Sequence, residues 1–444
     1  MNKLSLIFHE KIDFIDKFLL FFIILMPFTL ATSIFLADLC GSISGIILIY
    51  IFFKRKIRDF RLIKNEIIFF IIFYSLILIS LIFSDYFKES FLASFFYFRY
   101  FLVSLSIFYL LNKYDFMFEL LLYSIFFTLI IVTLDSLVQY FFGSNLFGYD
   151  WPNRLTEKDF KYVTGFFNEE KKLGSYLVRF LPLALISLHF LQNKKKLQLN
   201  VFFILLVGAV IFLTSERTAL FLYIIIFISY FLITQYKARL IILLILIFGL
   251  LFQTNEKLKF KYLNFTLEQL TGGFKNTKEI KPNSKTNNYT IKFYSNEHQN
   301  LIFTSIMISK ENFLLGSGVK SFYHECKNLK KDYFRTRFFN KTNLDLTCST
   351  HPHSTYFQIL SDIGILGFLL SIYFLYYTSL SFYKVFIRIN KTNENHLYYY
   401  LINLSILVNI FPLIPSGNIF NNWISIILFY LIGFWLFMKK KIKT

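Results

Sequence analysis

Charged residues are scarce in this sequence, and acidic residues are the scarcest. Asp, Glu, Lys and Arg make up 17% of the 444 residues, whereas hydrophobic residues make up 56% and aromatic residues 21%. This excludes an ordinary soluble domain, in which polar residues interrupt the apolar segments far more often. We therefore expect an all-α, polytopic membrane protein.

Other signatures are also missing. The first apolar stretch is too long for a signal peptide and has no small-residue cleavage site, so we expect a membrane anchor. No cluster of cysteine or carboxylate ligands accompanies the histidines, so we expect neither a metal nor a cofactor. No internal repeat relates two halves of the chain, which argues against a transporter built from inverted repeats.

Long apolar stretches dominate the chain instead. A helix needs about 20 apolar residues to cross the hydrocarbon core of a bilayer, and twelve stretches approach that length, with the second, seventh and ninth the shortest. They begin near Lys17, Leu39, Glu66, Ser90, Phe118, Leu173, Leu199, Glu216, Leu240, Tyr356, Leu397 and Ile419. The sequence therefore predicts about twelve transmembrane helices.

Basic residues fall on alternate loops. Clusters of Lys and Arg lie at 54–64, 194–196, 237–239, 384–391 and 439–443. Because such residues near span ends stay on the cytoplasmic side, both termini are predicted to be cytoplasmic. The net charge of +20 therefore does not indicate nucleic-acid binding. The basic residues that produce it define the membrane topology and attract anionic membrane lipids.

This topology divides the chain into three parts. Residues 1–252 form a membrane domain with spans one to nine, 253–355 a large outer loop, and 356–444 a membrane domain with spans ten to twelve. Cys326 and Cys348 both lie in the outer loop, where disulfides can form. We predict a Cys326–Cys348 bridge, with two free thiols as the alternative.

Five charged residues lie within predicted spans: Arg99, Asp135, Arg179, Arg217 and Asp362. Each costs about 2.5–3.5 kcal/mol in hydrocarbon, so such residues usually line a polar cavity. Arg217 is near enough to the outer interface to be a snorkelling anchor, but Arg179 lies deeper, just before Pro182. The surplus of arginine favours an anionic ligand, because guanidinium binds phosphate through two hydrogen bonds.

The run CSTHPHSTYFQILSDIGILG, residues 348–367, places two histidines where the outer loop enters span ten. His353 precedes Ser354, a predicted N-cap. The helix dipole there disfavours protonation, so a neutral His353 can act as a general base. Gln358 and Asp362 share one helix face. The alternative is that His351 and His353 only form a polar cap.

The Gly-Ser-Gly sequence at 316–318 follows a short amphipathic helix. Its backbone N–H groups are candidates for binding a phosphate. The alternative is a simple turn, which is the commoner role of such a triplet.

Three blocks between residues 165 and 370 occur in a fixed order. They are GFFNEEKKLGSYLVRFLPL, TSERTALF, and SNEHQNLIFTSIMISKENFLLGSGVKSF followed by HPHSTYFQILSDIGILG. In order and sidedness they resemble the O-antigen ligase and O-antigen polymerase family. These are membrane glycosyltransferases that move lipid-linked glycans on the outer face of the bacterial inner membrane.

The resemblance implies roles for individual residues. His353 matches the family's essential loop histidine and would activate the acceptor hydroxyl, while Arg217 matches the arginine that would hold the lipid diphosphate. His298 stands where many members carry an arginine. Histidine is a weaker diphosphate partner at neutral pH, so Arg179 or Lys320 is expected to share that task.

Three further positions complete the predicted site. Ser354 replaces the asparagine that usually follows the histidine, and it retains the ability to cap the helix. Asp362 stands where glutamate is commoner and keeps the charge. We expect His351 to support His353, and both His351 and Asp362 to contribute to substrate binding.

The resemblance also implies a function in surface polysaccharide (lipopolysaccharide, O-antigen) biosynthesis. The donor would be a glycan linked to undecaprenyl diphosphate, and transfer would be inverting, without a metal or cofactor. The acceptor would be another lipid-linked glycan in a polymerase, which we favour because the cysteine pair and HPH arrangement resemble those of polymerases. In a ligase it would be the lipid A core.

Two other classes of protein remain as alternatives. A flippase for lipid-linked glycans also needs intramembrane arginines, but it predicts repeats that are absent here. A structural partner of other polysaccharide-assembly proteins would leave the charged residues within spans unexplained. By the resemblance, the chain lies in the inner (cytoplasmic) membrane with its large loop in the periplasm.

Overall fold

The structure, a computed structural model, describes residues 12–55, 57, 59–151, 162–190, 196–233, 249, 253, 262–263, 294–333, 346–389, 394–412 and 414–443. These residues form helices and connecting turns, and none of them forms a β-strand. The helices are α1 (Phe14–Thr32), α2 (Ile34–Lys54), α3 (Lys64–Ile82), α4 (Phe87–Phe95), α5 (Phe98–Lys113), α6 (Met117–Phe142), α7 (Leu173–Ser187), α8 (Lys196–Leu213), α9 (Arg217–Ile233), α10 (Asn296–Glu311), α11 (Phe322–Tyr333), α12 (Thr355–Arg388), α13 (Glu394–Asn409) and α14 (Asn422–Lys443).

Among the residues that the structure describes, eight helical segments are long and apolar enough to cross a membrane. They are Phe14–Thr32, Ile34–Lys54, Asp59–Ile82, Phe87–Lys113, Met117–Phe142, Leu173–Phe190, Thr355–Arg388 and Asn422–Ile442, which correspond to predicted spans one to six, ten and twelve. The protein is therefore an all-helical, polytopic membrane protein.

The remaining predicted spans differ from these eight. The apolar part of α8, Gln198–Leu213, and the whole of α9, Arg217–Ile233, are shorter than the eight segments. Helix α13, at predicted span eleven, has 16 residues. Predicted span nine, near Leu240, lies outside the described residues, as does most of 253–293. The count of twelve spans and the boundaries of the outer loop stay predictions.

Two spans form the centre of the bundle. In Leu173–Phe190 and in Asn422–Ile442, 83% of the residues that define the span are buried, compared with 22% in Asp59–Ile82. α14 packs against α5 and α13, while α7 packs against α6 and α13. A charged residue on α7, such as Arg179, is thus enclosed by protein rather than by lipid.

A kink divides α12 at Gly364, whose φ of 78° no other residue type adopts easily. The kink frees backbone groups, and the chain around the Gly-Ser-Gly sequence binds them. The N–H groups of Ser317 and Gly318 donate to the carbonyl oxygens of Ser361 (2.9 Å) and Asp362 (3.0 Å). A break in a membrane helix is tolerated when neighbouring protein satisfies the freed groups in this way. These two N–H groups are therefore occupied and are not donors to a phosphate.

Replacing Gly316 with alanine should destabilise this junction. Gly316 has a φ of +73°, and an added Cβ would lie 2.6 Å from the Asp362 carbonyl oxygen. The left-handed backbone alone costs about 1–3 kcal/mol for a residue other than glycine, and the collision with α12 adds to it. Thermal unfolding of the detergent-solubilised protein measures the loss.

Gly143→Ala is the matched control for this substitution. Gly143 also has a positive φ, +90°, but an added Cβ would meet nothing within 4 Å. It should therefore lower the unfolding temperature less than Gly316→Ala does. Equal losses would contradict a close fit between the 316–318 turn and α12.

Helices α10 and α11 cover the N-terminal part of α12. Cys326 on α11 forms a disulfide with Cys348, with Cα atoms 5.6 Å apart. These two cysteines pack with Leu301, Ile308 and Phe322 in a small apolar cluster. The bridge ties α11 to the segment that leads into His351 and His353.

A hydrogen bond fixes α10 against the first turn of α12. The hydroxyl of Ser305 donates to the Phe357 carbonyl oxygen at 2.5 Å. α10 itself begins after Ser295, whose hydroxyl accepts the His298 N–H at 3.4 Å. His298 is thus held at the start of a helix that lies beside the entry to α12.

Candidate active site

His353 occupies an unusual backbone conformation. Its φ is 52°, in the left-handed region that residues other than glycine rarely adopt. Its carbonyl oxygen accepts the N–H of Ser416 at 2.9 Å, which anchors it to the turn between α13 and α14. Ser354 stands at the N-cap position of α12, but its side chain makes no capping hydrogen bond. The predicted N-cap position of Ser354 is confirmed, but its expected capping hydrogen bond is absent.

Three imidazoles meet at this point. The ring centroids of His351 and His353 are 4.1 Å apart, and those of His298 and His353 are 5.8 Å apart. Ser349 Oγ lies 3.4 Å from His353 Nε2, and Thr350 Oγ1 lies 3.0 Å from His351 Nδ1. The docking of α10 on α12 thus brings together residues that are 55 positions apart in sequence.

All three histidines are held neutral near pH 7. Burial lowers the pKa of His353 below its ordinary 6.5. Burial, with the neighbouring His353, lowers the pKa of His351 to about 4, and the backbone of Ser416 offsets this only in part. Burial also lowers the pKa of His298, with smaller contributions from the neighbouring His353 and from the positive charge of Arg217. A neutral imidazole is the form that accepts a proton.

Two nitrogens of this cluster are unsatisfied. Nδ1 of His298 and Nε2 of His351 are buried, and neither has a hydrogen-bond partner among the described residues. Buried polar atoms are nearly always hydrogen-bonded, so an unpaired one needs an explanation. A bound substrate group is one partner that would satisfy it.

Arg217 is the first residue of α9. Its charge acts on His298 and lowers the pKa of that histidine, though by less than burial does. The preceding residue, Glu216, accepts the backbone N–H groups of Gly174 at 2.8 Å and Ser175 at 3.0 Å. A carboxylate at the start of α7 is favoured by the helix dipole. Glu216 thereby fixes the start of α9 against the start of α7.

Arg179 lies one turn further along α7 and is 5% exposed. Its guanidinium donates to Asn409 Oδ1 at 2.5 Å and to Ser175 Oγ at 3.1 Å, and the charges of Arg179 and Glu216 interact. Sequence reasoning missed Glu216 and Asn409. Glu216 could have been found from its place beside Arg217, whereas nothing in the sequence pairs Asn409 with α7.

Asp362 lies apart from the histidines. It is fully buried, and it accepts the N–H of Lys320 and the amide N–H of Gln358, both at 3.3 Å. Ser361 Oγ lies 3.3 Å from its other oxygen. Gln358 and Asp362 therefore share a face, as predicted, but this face holds the turn after Gly318 rather than the histidine cluster.

The other charged residues within spans also have protein partners. Arg99 forms a two-point ion pair with Asp38, with hydrogen bonds of 3.1 and 3.2 Å, and the charge of Lys320 interacts with this pair. Asp135 accepts the side-chain amide of Asn145 at 3.1 Å. Lys320 and Arg99 thus form a second cationic site. The structure does not bring Lys320 together with the histidine cluster.

No group of three or more His, Cys, Asp or Glu residues is arranged to hold a metal ion within the part of the chain that the structure describes. The functional groups around His353 are instead neutral imidazoles, and the charge of the Arg217 guanidinium acts on one of them, His298. This combination is suited to proton abstraction beside an anion.

Comparison with known proteins identifies the segment that carries this site. The family model described as O-antigen ligase matches residues 201–372, which include Arg217, His298, His351 and His353. No curated protein matches the chain. This match confirms, over residues 201–372, the resemblance that the sequence motifs indicate.

Proposed function

We propose that the protein is an inverting, metal-independent glycosyltransferase that extends undecaprenyl-diphosphate-linked glycans on the periplasmic face of the inner membrane. The observation that carries the proposal is the meeting of three neutral imidazoles with the charge of Arg217. These residues lie within the segment that matches the O-antigen ligase family, a glycosyltransferase-like class of membrane protein.

In the proposed reaction, His353 is the general base. Its neutral ring takes the proton of an acceptor hydroxyl, and the oxygen attacks the anomeric carbon of the donor sugar. The bond between that carbon and the diphosphate breaks with its electron pair on the departing oxygen. Because one displacement occurs on the side opposite the leaving group, the anomeric configuration inverts.

Arg217 balances the charge of the departing diphosphate. Guanidinium groups stabilise such a leaving group where other enzymes use a divalent ion. Arg179 supports this side of the site through its interaction with Glu216, which holds the starts of α7 and α9 together. His298 and His351 orient the acceptor beside His353, and the unpaired Nδ1 of His298 is available to bind a substrate group.

The proposed acceptor is another lipid-linked glycan, so that the reaction is a polymerisation. The resemblance of the disulfide and HPH arrangement to polymerases favours this acceptor over the lipid A core. In this scheme Lys320 and Asp362 stabilise the outer loop, because Asp362 accepts the backbone N–H of Lys320 and so holds the turn that carries it. We propose that both termini lie in the cytoplasm, as the basic clusters predict.

Deletion of the gene tests the proposal through the banding of surface polysaccharide. We expect long chains to disappear while single glycan units still cap the lipid A core, because extension alone is lost. Reintroduction of the intact gene should restore the long chains, which controls for effects on neighbouring genes. An accumulation of undecaprenyl-linked polymer with a bare core would show a ligase instead, and unchanged banding would contradict both.

A further inference from the structure

An apolar cavity of about 260 Å³ runs between α3, α5, α12 and α14. Its walls are mostly aromatic, with Phe70, Phe101 and Phe429 on one side and Phe374 and Trp435 on the other. We call this cavity the slot. Such a space is too apolar to hold ordered water, and an empty one would leave its lining atoms without contacts.

The slot extends along both parts of α12, on either side of the kink at Gly364. It is lined there by residues from Thr355 to Tyr377, which are 22 positions apart and so span at most about 33 Å at a rise of 1.5 Å per residue. The hydrocarbon core of a bilayer is about 30 Å thick. The slot therefore has the length of an extended lipid chain.

The end of the slot that Thr355 lines is close to the histidine cluster along the chain. Thr355 lines that end and follows His353 by two residues. Its hydroxyl lies 2.9 Å from Ser416 Oγ, and the N–H of Ser416 donates to the His353 carbonyl oxygen at 2.9 Å. One short turn thus joins the slot to the proposed catalytic base.

The inner end is closed by charged and aromatic groups. Lys439 forms an ion pair with Glu66, and its ammonium lies 4.4 Å from the Tyr377 ring centroid and 4.7 Å from that of Trp435. Cation–π contacts of this kind hold a cation over aromatic faces. The slot therefore has polar groups at its two ends and aromatic walls between them.

We propose that the slot binds the isoprenoid chain of the lipid-linked donor. This rests on the proposed function, which places the donor diphosphate beside His353 and Arg217. The chain attached to that diphosphate must enter the membrane from there, and the slot is an apolar path that begins at that point. A phospholipid chain fits less well, because its headgroup would then occupy the catalytic site.

Binding in the slot would depend on packing rather than on the hydrophobic effect. Lipid tails outside the protein are as apolar as the slot, so a chain gains only van der Waals contacts by entering it. A bulky side chain within the slot should therefore exclude the chain by steric hindrance. Ser371 is a suitable position, since it lines the slot on α12 and is half-buried.

The test compares two donors that carry the same glycan, one on undecaprenyl diphosphate and one on a two-isoprene diphosphate. With the intact protein in nanodiscs, KM for the long-chain donor should be lower by about tenfold, equivalent to about 1.4 kcal/mol. Ser371→Trp should bring this ratio close to one. Leu369→Trp is the matched control, because Leu369 lies on the same helix but is 55% exposed on the lipid side, and it should keep the ratio.

A photolabel gives a measurement that does not need a folded variant. An undecaprenyl diphosphate with a diazirine along its chain should label the slot face of α14, around Phe429 and Trp435. The slot proposal would be wrong if Ser371→Trp left the KM ratio unchanged, or if labelling were confined to the lipid-facing side of α12. Transfer by the intact protein would still support the proposed function in either case. No transfer from either donor would overturn the proposed function, and the slot proposal with it.

Discussion

Replacing His353 with alanine should lower glycan transfer by about 10²–10⁴-fold, the usual contribution of a positioned general base. The ring centroid of His351 is only 4.1 Å away, but its pKa of about 4 makes it a poor proton acceptor. His298 is separated from His353 by 5.8 Å between centroids and serves a different face of the cluster. The rate is measured as consumption of lipid-linked glycan by the protein in liposomes.

His324→Ala is the control for this substitution. His324 lies on α11, where its ring stacks on Tyr86 with centroids 4.7 Å apart, so it is a histidine of the same outer region outside the cluster. It should keep most of the activity. Transfer at the wild-type rate by a correctly inserted His353→Ala protein would exclude His353 as the base.

The pH dependence gives a second readout of the same residue. The base must be neutral, and burial lowers the pKa of His353 below 6.5, so transfer should fall at acidic pH with a midpoint below 6.5. The His353→Ala protein should lack this acidic limb. A limb with its midpoint above 6.5 would contradict a buried, neutral base.

Stability changes over the same range and must be separated from the rate. Below pH 6.5 the unfolded chain binds protons that the three buried histidines do not, because their pKa values are lowered in the fold. The free energy of unfolding therefore decreases as the pH falls from 6.5 towards the folded pKa values. Samples returned to pH 7 should regain full activity if only the protonation of His353 was responsible.

Local sequence features predict much of this molecule. Apolar length is sufficient to predict the eight candidate spans found among the described residues, because a membrane helix satisfies its own backbone and needs only enough apolar residues. The spacing of Gln358 and Asp362 correctly predicts their contact, seen at 3.3 Å. Positions four apart on a helix are neighbours whatever the rest of the fold does.

Contacts between distant segments could not be predicted in the same way. His298 meets His353 because α10 docks on α12, and Arg99 meets Asp38 across 61 positions. Each depends on how helices pack, which no local pattern specifies. The charge of Arg99 signalled the need for a partner, but it did not say that the partner was an aspartate of α2 rather than a ligand.

The turn at 316–318 shows a different limit. Its composition favours exposed N–H groups, and a phosphate site was a reasonable hypothesis from sequence. The kink at Gly364 supplies competing acceptors, since the carbonyl oxygens of Ser361 and Asp362 take those N–H groups. Gly364 lies 46 positions after Gly318, so the competition is visible only once the two segments are in contact.

Replacing Arg217 with alanine should lower transfer by about 10²–10³-fold, the effect of removing one group that stabilises developing negative charge. His298 is the nearest candidate to replace it, but burial and the neighbouring His353 keep that ring neutral, so it offers no positive charge near pH 7. Arg217→Lys should restore part of the rate, because an ammonium keeps the charge but not the two-point hydrogen bonding of guanidinium.

Product inhibition distinguishes a diphosphate contact from a structural role. If Arg217 holds the leaving group, the inhibition constant of undecaprenyl diphosphate should rise in Arg217→Ala and by less in Arg217→Lys. Arg61→Ala, which removes an exposed basic residue near α3, should leave both the rate and the inhibition constant unchanged. A lower rate in Arg217→Ala with an unchanged inhibition constant would mean that Arg217 supports the fold and that the diphosphate is held elsewhere. Arg99 and Lys320, whose charges act on each other at the second cationic site, would then be the next residues to replace.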